Sequence, residues 1–362
     1  MNICVPKERR PFEYRVGLTP SAVEVLVAGG HTCYIEHNAG LGAGFSDQDY
    51  EQADARVVYS PHEVFGRADL ILKVARPLQD ELEWMRSDTA FAGLLHLASA
   101  RQDKIDALVK NRITAIAYEQ IELPDGTRPV LRPMSQIGGR MAAQVAALLL
   151  QNNAGGKGIL LGGITGVPAA EVVVIGAGVV GTYATQAFLG MGAHVLVMDT
   201  DLSALERMHE TFQGVTTMIS SPRNIARVCT FADVVVGAVL VTGERAPLVV
   251  TRDIMQTMKP RAILMDISID QGGCFETSRP TTHEHPTFIL DGVIHYCVPN
   301  IPGVVARTAT YALINAALPY ILELTNLGID DAISKNDALG NAVNSLHGEM
   351  VNLPRLSPKQ MV

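Results

Sequence analysis

Apolar runs of strand length recur early in the chain, at residues 3–6, 32–36, 57–59, 70–74, 89–95 and 114–118. Helix signals fill the gaps between them. Thr19-Pro20 supplies a capping residue and a proline where a helix should open, and Gly29-Gly30 marks its end. Ser60-Pro61-His62-Glu63 has the spacing of a capping box, and residues 101–110 carry a third helical pattern. Strands alternating with helices predict a largely parallel sheet covered on both faces. Pro124-Asp125-Gly126 reads as a turn, and residues 139–151 then offer an apolar helix suited to crossing between domains. A short strand is expected between the glycine clusters Gly155-Gly156-Lys157-Gly158 and Gly162-Gly163-Ile164-Thr165-Gly166. Further strands are expected at 215–220, 233–241 and 262–267, and a long apolar helix over 308–328 runs back toward the first domain.

The stretch from Val172 to Asp201 organises this pattern. A buried strand, Val172-Val173-Val174-Ile175, runs into Gly176-Ala177-Gly178-Val179-Val180-Gly181; a helix follows, and a second apolar strand ends at Asp199. Gly176 permits the tight turn, Gly178 lets the backbone approach a pyrophosphate, and Gly181 lets helix and strand pack closely. The helix that opens there, at Val179, turns free N–H groups and the positive end of its dipole toward phosphates. Asp199 stands where a carboxylate accepts hydrogen bonds from the adenosine ribose. It would repel a 2′-phosphate, with Asp201 beside it, which favours NAD over NADP. The expected fold is α/β, with two doubly wound Rossmann-like domains. An NAD domain over 134–307 is inserted into a substrate domain made of 1–133 and 308–362, with a cleft between them. Ligands in such sheets sit at the carboxyl ends of the strands. Those ends are Gly176, Asp199, Ser220, Val239 and the turn over 267–273.

Composition narrows the class. Hydrophobic residues make up 48% of the chain and charged residues 18%, a globular balance. The net charge of −8 argues against nucleic acid or an anionic membrane surface as partner. The most apolar long run, 309–327, is interrupted by Asn315, Pro319 and Glu323, so no membrane span is expected. The cysteines Cys4, Cys33, Cys229, Cys274 and Cys297 are odd in number and scattered, which suits reduced thiols in a cytoplasm. His283 and His285 form an H-x-H on a loop, with His295 further on; that pattern is too weak to imply a metal, and none is expected.

A nicotinamide enzyme acting on a small polar substrate needs a proton shuttle and a charge anchor. His96 ends an apolar strand and has the side chain best suited to proton transfer near neutrality. Arg15 is a candidate to grip a carboxylate bidentately. Asp270 follows a strand of the nucleotide sheet and precedes Gly272-Gly273, which places a carboxylate near the expected nicotinamide. Asp266 reads as structural.

The chain resembles the alanine dehydrogenase family nearly end to end. The matching segments are Val5-Pro6-Lys7-Glu8 with Glu13-Tyr14-Arg15-Val16, Leu95-His96-Leu97-Ala98, Pro133-Met134-Ser135, Gly176 to Gly181, Gly237-Ala238-Val239-Leu240-Val241, Asp270-Gln271-Gly272-Gly273-Cys274-Phe275-Glu276 and Tyr296-Cys297-Val298-Pro299-Asn300. The soluble nucleotide domain of proton-translocating transhydrogenases shares part of this set. The resemblance implies that His96 is the acid/base, Asp270 the second catalytic group and Arg15 the holder of the substrate carboxylate. It also implies that Ser135, Ser220, Val239, Val298 and Asn300 line the cofactor site, and that the protein is a homo-hexamer. The implied reaction converts L-alanine, NAD⁺ and water to pyruvate, ammonia and NADH.

One departure bears on the substrate. The family shows K-V-K-E-P, and its second lysine contacts the substrate; here the segment is Lys73-Val74-Ala75-Arg76-Pro77. Ala75 replaces the lysine, so Lys73 or Arg76 would have to serve, and Lys73 and Asn300 join Arg15 as candidate substrate ligands. Neighbours in an extended segment face opposite sides, so Arg76 is no simple substitute. Leu94 stands where an aromatic is usual, and 304–307 lacks a common proline. These changes leave two rivals open. One is the same fold and cofactor with a different amino, imino or oxo acid. The other is a non-catalytic nucleotide-binding module like that of the transhydrogenases.

Overall fold

The structure is a computed structural model that describes residues 1–239 and 246–353. It divides into two compact units, Met1–Met134 with the chain from Pro302 onward, and Ser135–Ile301. The return to the first unit falls a few residues earlier than the sequence pattern suggests. The 3₁₀ turn Ile301–Val305 feeds directly into the helix Ala306–Leu327, and Tyr311 of that helix stacks edge-on against Phe45 of the first unit.

The first unit is an eight-stranded sheet built from β1 (Asn2–Val5), β2 (Thr32–Glu36), β3 (Arg56–Val58), β4 (Leu70–Ala75), β5 (Ala90–Leu94) and β6 (Thr114–Ala117). The second unit holds β7 (Glu171–Ile175), β8 (His194–Asp199), β9 (Thr216–Ile219), β10 (Val234–Gly237), β11 (Ile263–Asp266), β12 (Thr287–Leu290) and β13 (Val293–Tyr296). Two C-terminal strands, β14 (Val343–Leu346) and β15 (Glu349–Met350), complete the first sheet. Its order is β15-β14-β6-β5-β4-β1-β2-β3, and the second is β12-β13-β11-β10-β7-β8-β9. The order of the parallel strands therefore winds one way and then the other, switching between β1 and β4 in the first sheet and between β7 and β10 in the second. The strand ends at such a switch point are where ligands bind in doubly wound sheets.

The parallel strands follow the apolar pattern closely because both faces of the sheet are covered. Along β7, Val172 and Val174 face one core with Ala184 and Phe188, while Val173 faces another with Ile225 and Val228. Thr19 caps the helix Pro20–Ala28 by accepting from Ala22 N at 3.2 Å, with Pro20 in the first turn. The expected capping box at Ser60 does not form. Pro61 starts the helix Pro61–Arg67, but the Ser60 side chain makes no capping bond and Glu63 pairs with Arg67 instead. The expected strand between the glycine clusters is also absent: the segment turns and closes on an isolated bridge between Ile164 and Val167. Antiparallel edges escaped the pattern altogether. These are β12 against β13 and the pair β14–β15, whose strands are short and partly polar. Of the strand expected at 233–241, residues 234–237 are a strand, and Leu240 and Val241 lie outside the described residues. Among the described residues no single helix is long and apolar enough to cross a membrane.

Candidate active site

In the second unit the glycine loop is built as its spacing requires. Gly176 adopts φ +108°, and a Cβ there would lie 2.3 Å from Ala238 O. A Cβ on Gly181 would sit 1.8 Å from Gly176 O, so only glycine lets the helix Val179–Gly190 meet the turn. Gly178 caps that helix and is open on its outer side, where a Cβ would meet no atom within 4 Å. The loop thus exposes helix-terminal N–H groups to an approaching phosphate. Asp199 is fixed at its mouth: one carboxylate oxygen accepts from Ala177 N at 2.6 Å and the other from Asp201 N at 2.9 Å. Asp201 itself caps the next helix through Ser203 N. Ser220 follows β9 and donates its N–H to Asp199 O at 2.8 Å. These residues fit a dinucleotide, with Gly178 and Val179 toward the phosphates and Asp199 toward a ribose.

The turn after β11 carries Asp270, and a buried carboxylate holds the turn in shape. Asp266 accepts from Ser268 N, Cys274 N, Phe275 N and Ser278 Oγ. Burial pushes the Asp266 carboxyl up, and the bonds from Ser278, Cys274 and Phe275 oppose that shift. Its role is structural, as the sequence pattern indicates. Ser268 Oγ donates to Val239 O at 2.7 Å and accepts from Val239 N at 3.0 Å, joining the ends of β10 and β11. Asp270 is left exposed on the rim, where its carboxylate accepts from Asn300 N at 3.3 Å. Asn300 has φ +55°, and its carbonyl lies 3.4 Å from His283 Nε2. Two expected site residues, Asp270 and Asn300, are therefore in contact. Val298 is buried in the core of the unit, so only its backbone can face a ligand. Ser135 lies half-buried in the first turn of the helix Arg132–Leu149, whose Gln136 donates to Tyr183 OH at 3.0 Å.

In the first unit the strand ends at the switch point are charged. His96 follows β5 in a left-handed conformation, φ +44° and ψ +42°, with its side chain 37% exposed. Glu119, beyond the end of the neighbouring β6, holds it there: its carboxylate accepts from Leu95 N at 3.0 Å and from His96 N at 2.6 Å. The same carboxylate lies 3.9 Å from His96 Nδ1. Nothing local in the sequence singles out Glu119; only strand pairing brings it to His96. Arg15 is 4% exposed and gripped by Glu13, which accepts from Nε at 2.7 Å and from Nη2 at 2.5 Å. Its Nη1 lies 3.2 Å from Met134 Sδ. A substrate carboxylate would have to meet the Nη1–Nη2 end of this guanidinium.

Lys73 is not placed to reach a substrate. Its ammonium is 1% exposed and lies 3.0 Å from both Glu8 and Glu81. Glu8 also accepts from Val74 N and Ala75 N, and Glu81 from Leu78 N and Arg9. Burial raises the Glu8 carboxyl, and the charge of Lys73 counters it. The pairing of β4 with β5 shifts register between Leu72 and Ala75, and Lys73, inside that stretch, is closed off by two acids. Arg76, by contrast, donates from Nη1 to His96 O at 3.1 Å, and Arg10 Nε donates to Arg76 O at 3.2 Å.

Two doubly wound sheets, one with an intact dinucleotide loop and the other with a histidine poised at a strand end, define a nucleotide-dependent α/β protein. The chain belongs to the alanine dehydrogenase/PNT family: the N-terminal domain of that family matches residues 4–138 and the C-terminal domain residues 142–353. An alanine dehydrogenase from Methanococcus maripaludis is 45% identical over 97% of this chain and 94% of its own length. A solved L-alanine dehydrogenase superposes with a TM-score of 0.93 at 44% identity, covering 97% of each chain. A transhydrogenase structure from Sinorhizobium meliloti matches at TM-score 0.82 and 26% identity, over 97% of this chain and 99% of that one.

Proposed function

We propose that the protein is an NAD-dependent amino-acid dehydrogenase that interconverts L-alanine, NAD⁺ and water with pyruvate, ammonium, NADH and a proton. The observation that carries this reading is His96, held by Glu119 at the end of β5 in a chain whose other unit has a complete dinucleotide loop. A nucleotide-binding module without chemistry of its own has no need of a strained, half-exposed histidine. Gly178 and Val179 would hold the phosphates of NAD and Asp199 its ribose, with Ser135, Ser220, Val239, Val298 and Asn300 lining its path; the bound cofactor would supply the hydride acceptor for the substrate α-carbon. Arg15, oriented by Glu13, takes the substrate carboxylate. His96 removes a proton as the amine becomes an imine and water adds, and Asp270 handles a second proton in that exchange. Lys73 stays in the frame of the unit. We further propose a homo-hexamer, as the family resemblance implies, working in a cytoplasm that suits five unpaired thiols and holding no resident metal.

The test is NADH formation from L-alanine, and NADH consumption with pyruvate and ammonium. NAD should be preferred to NADP. No turnover with any amino acid of a full panel would leave the module reading as the better one; sedimentation of the purified chain tests the hexamer.

A further inference from the structure

Three cations gather on the segment that follows β4, next to the proposed acid/base. Arg76 Nη1 donates to His96 O at 3.1 Å, Arg10 Nε to Arg76 O at 3.2 Å, and Lys104 Nζ to Pro77 O at 3.2 Å. All three residues are half-buried. Among the described residues, Arg10 and Lys104 each end on a carbonyl oxygen and not on a carboxylate. The acids of this region have other work. Glu8 and Glu81 hold Lys73, Glu13 holds Arg15, and Glu119 is taken up by the N–H groups of Leu95 and His96. Asp103, next to Lys104 in sequence, is paired with Arg101 at 2.9 Å. Burial lowers the Lys104 pKa, the charges of Arg10 and Arg76 lower it further, and Asp103 partly opposes them. Arg10 and Lys104, like charges held close together, carry a cost that a bound anion relieves.

Position 75 adds the second half of the case. Ala75 removes a cation from the end of β4, while Arg76 brings one to the segment that follows. Positive charge has moved, not vanished. We propose that Arg10, Arg76 and Lys104 form a subsite for a second carboxylate of the substrate. Amino acids with an acidic side chain, and the matching dicarboxylic 2-oxo acids, are then bound ahead of alanine and pyruvate. The inference rests on the dehydrogenase reading for the fate of the bound molecule: oxo acid, ammonium, NADH and a proton give amino acid, NAD⁺ and water. Arg15 keeps the α-carboxylate, and the cluster takes the distal one.

Binding and turnover are measured on the full chain. Calorimetric titration compares succinate with propionate, and NADH consumption compares oxaloacetate and 2-oxoglutarate with pyruvate, each with ammonium. Succinate should bind about tenfold or more tightly than propionate, the gain expected of one or more charge-assisted hydrogen bonds. Arg10→Ala and Lys104→Ala should each shrink that ratio, and Lys104→Glu should erase it, with thermal melts confirming that each variant is folded. Raised salt should shrink it too. Equal affinity for the two acids, or a ratio that Lys104→Glu leaves unmoved, overturns the subsite whatever turns over. Pyruvate turnover with no dicarboxylate preference removes the subsite and leaves the dehydrogenase standing. A succinate preference lost in the variants, with no NADH consumed on any oxo acid, keeps the subsite and removes the dehydrogenase.

Discussion

The two units shape the strand ends near their switch points with different materials. The second unit does it mainly with backbone: a φ of +108° at Gly176, a helix end at Gly178 and one carboxylate, Asp199, tied to the loop. The first unit does it with charge. Lys73 is buried between Glu8 and Glu81, Arg15 is gripped by Glu13, and His96 is fixed by Glu119. Backbone geometry depends on neighbouring residues in sequence, whereas Glu8 and Glu119 reach Lys73 and His96 only through strand packing, although Glu13 is two residues from Arg15. The first kind of site is therefore constrained by its fold, and the second is free to be retuned by single substitutions such as those at Ala75 and Arg76.

The largest effect should come from the charged half. His96→Ala should lower turnover about 10²–10⁴-fold, the usual cost of removing a positioned acid/base. Glu119→Ala should cost roughly tenfold in kcat with KM nearly kept, since it releases two backbone N–H groups and the histidine's left-handed pose. Glu119→Gln, which keeps an acceptor, should recover part of that loss. Wild-type kcat in Glu119→Ala would show that His96 needs no such support.

Lys73→Ala comes next, and its readout is stability. Removing one partner of a buried ion pair typically costs about 3–5 kcal/mol. The pH dependence follows from Glu8, whose carboxyl burial already raises and Lys73 restrains. Without Lys73 the folded-state pKa rises further above the unfolded value. Stability is then fully present below the unfolded pKa and lost as pH rises through the folded one. Denaturant melts from pH 4 to 8 should show the variant's deficit growing with pH; a deficit that is flat, or largest in acid, contradicts the pairing.

The smallest effect belongs to the backbone half. Asp199→Ala should narrow the preference for NAD over NADP by about tenfold, roughly 1.4 kcal/mol, while the glycine loop keeps the pyrophosphate. Kinetics with both cofactors would measure it. An unchanged ratio would mean that discrimination lies elsewhere in the unit.

The dinucleotide loop and the parallel strands were legible in the sequence because both are short-range. Val172 to Gly181 and Ala193 to Asp199 place apolar runs, glycines and an acid at fixed spacings, and these spacings fix the turn, the helix start and the strand. The antiparallel edges β12–β13 and β14–β15 were not legible, since a short, half-polar edge strand lacks the continuous apolar run of a buried one. The Ser60 box failed because Glu63 had a competing partner in Arg67.

The sequence by itself determined which residues are candidates for chemistry, and tertiary structure decided what each is occupied with. His96, Asp270 and Arg15 stand out by type and position, but nothing near them in sequence says that Glu119 holds the first and Asn300 touches the second. Lys73 shows the point most clearly. A lysine two residues from a missing one is a natural substitute on paper. In the fold its ammonium is buried, and only two carboxylates, Glu8 beyond β1 and Glu81 in the helix after β4, make that burial tolerable. Local spacing dictates backbone shape, because its forces act between near neighbours. The fate of a charge depends on burial and on its partners, and both are fixed only when the elements pack together.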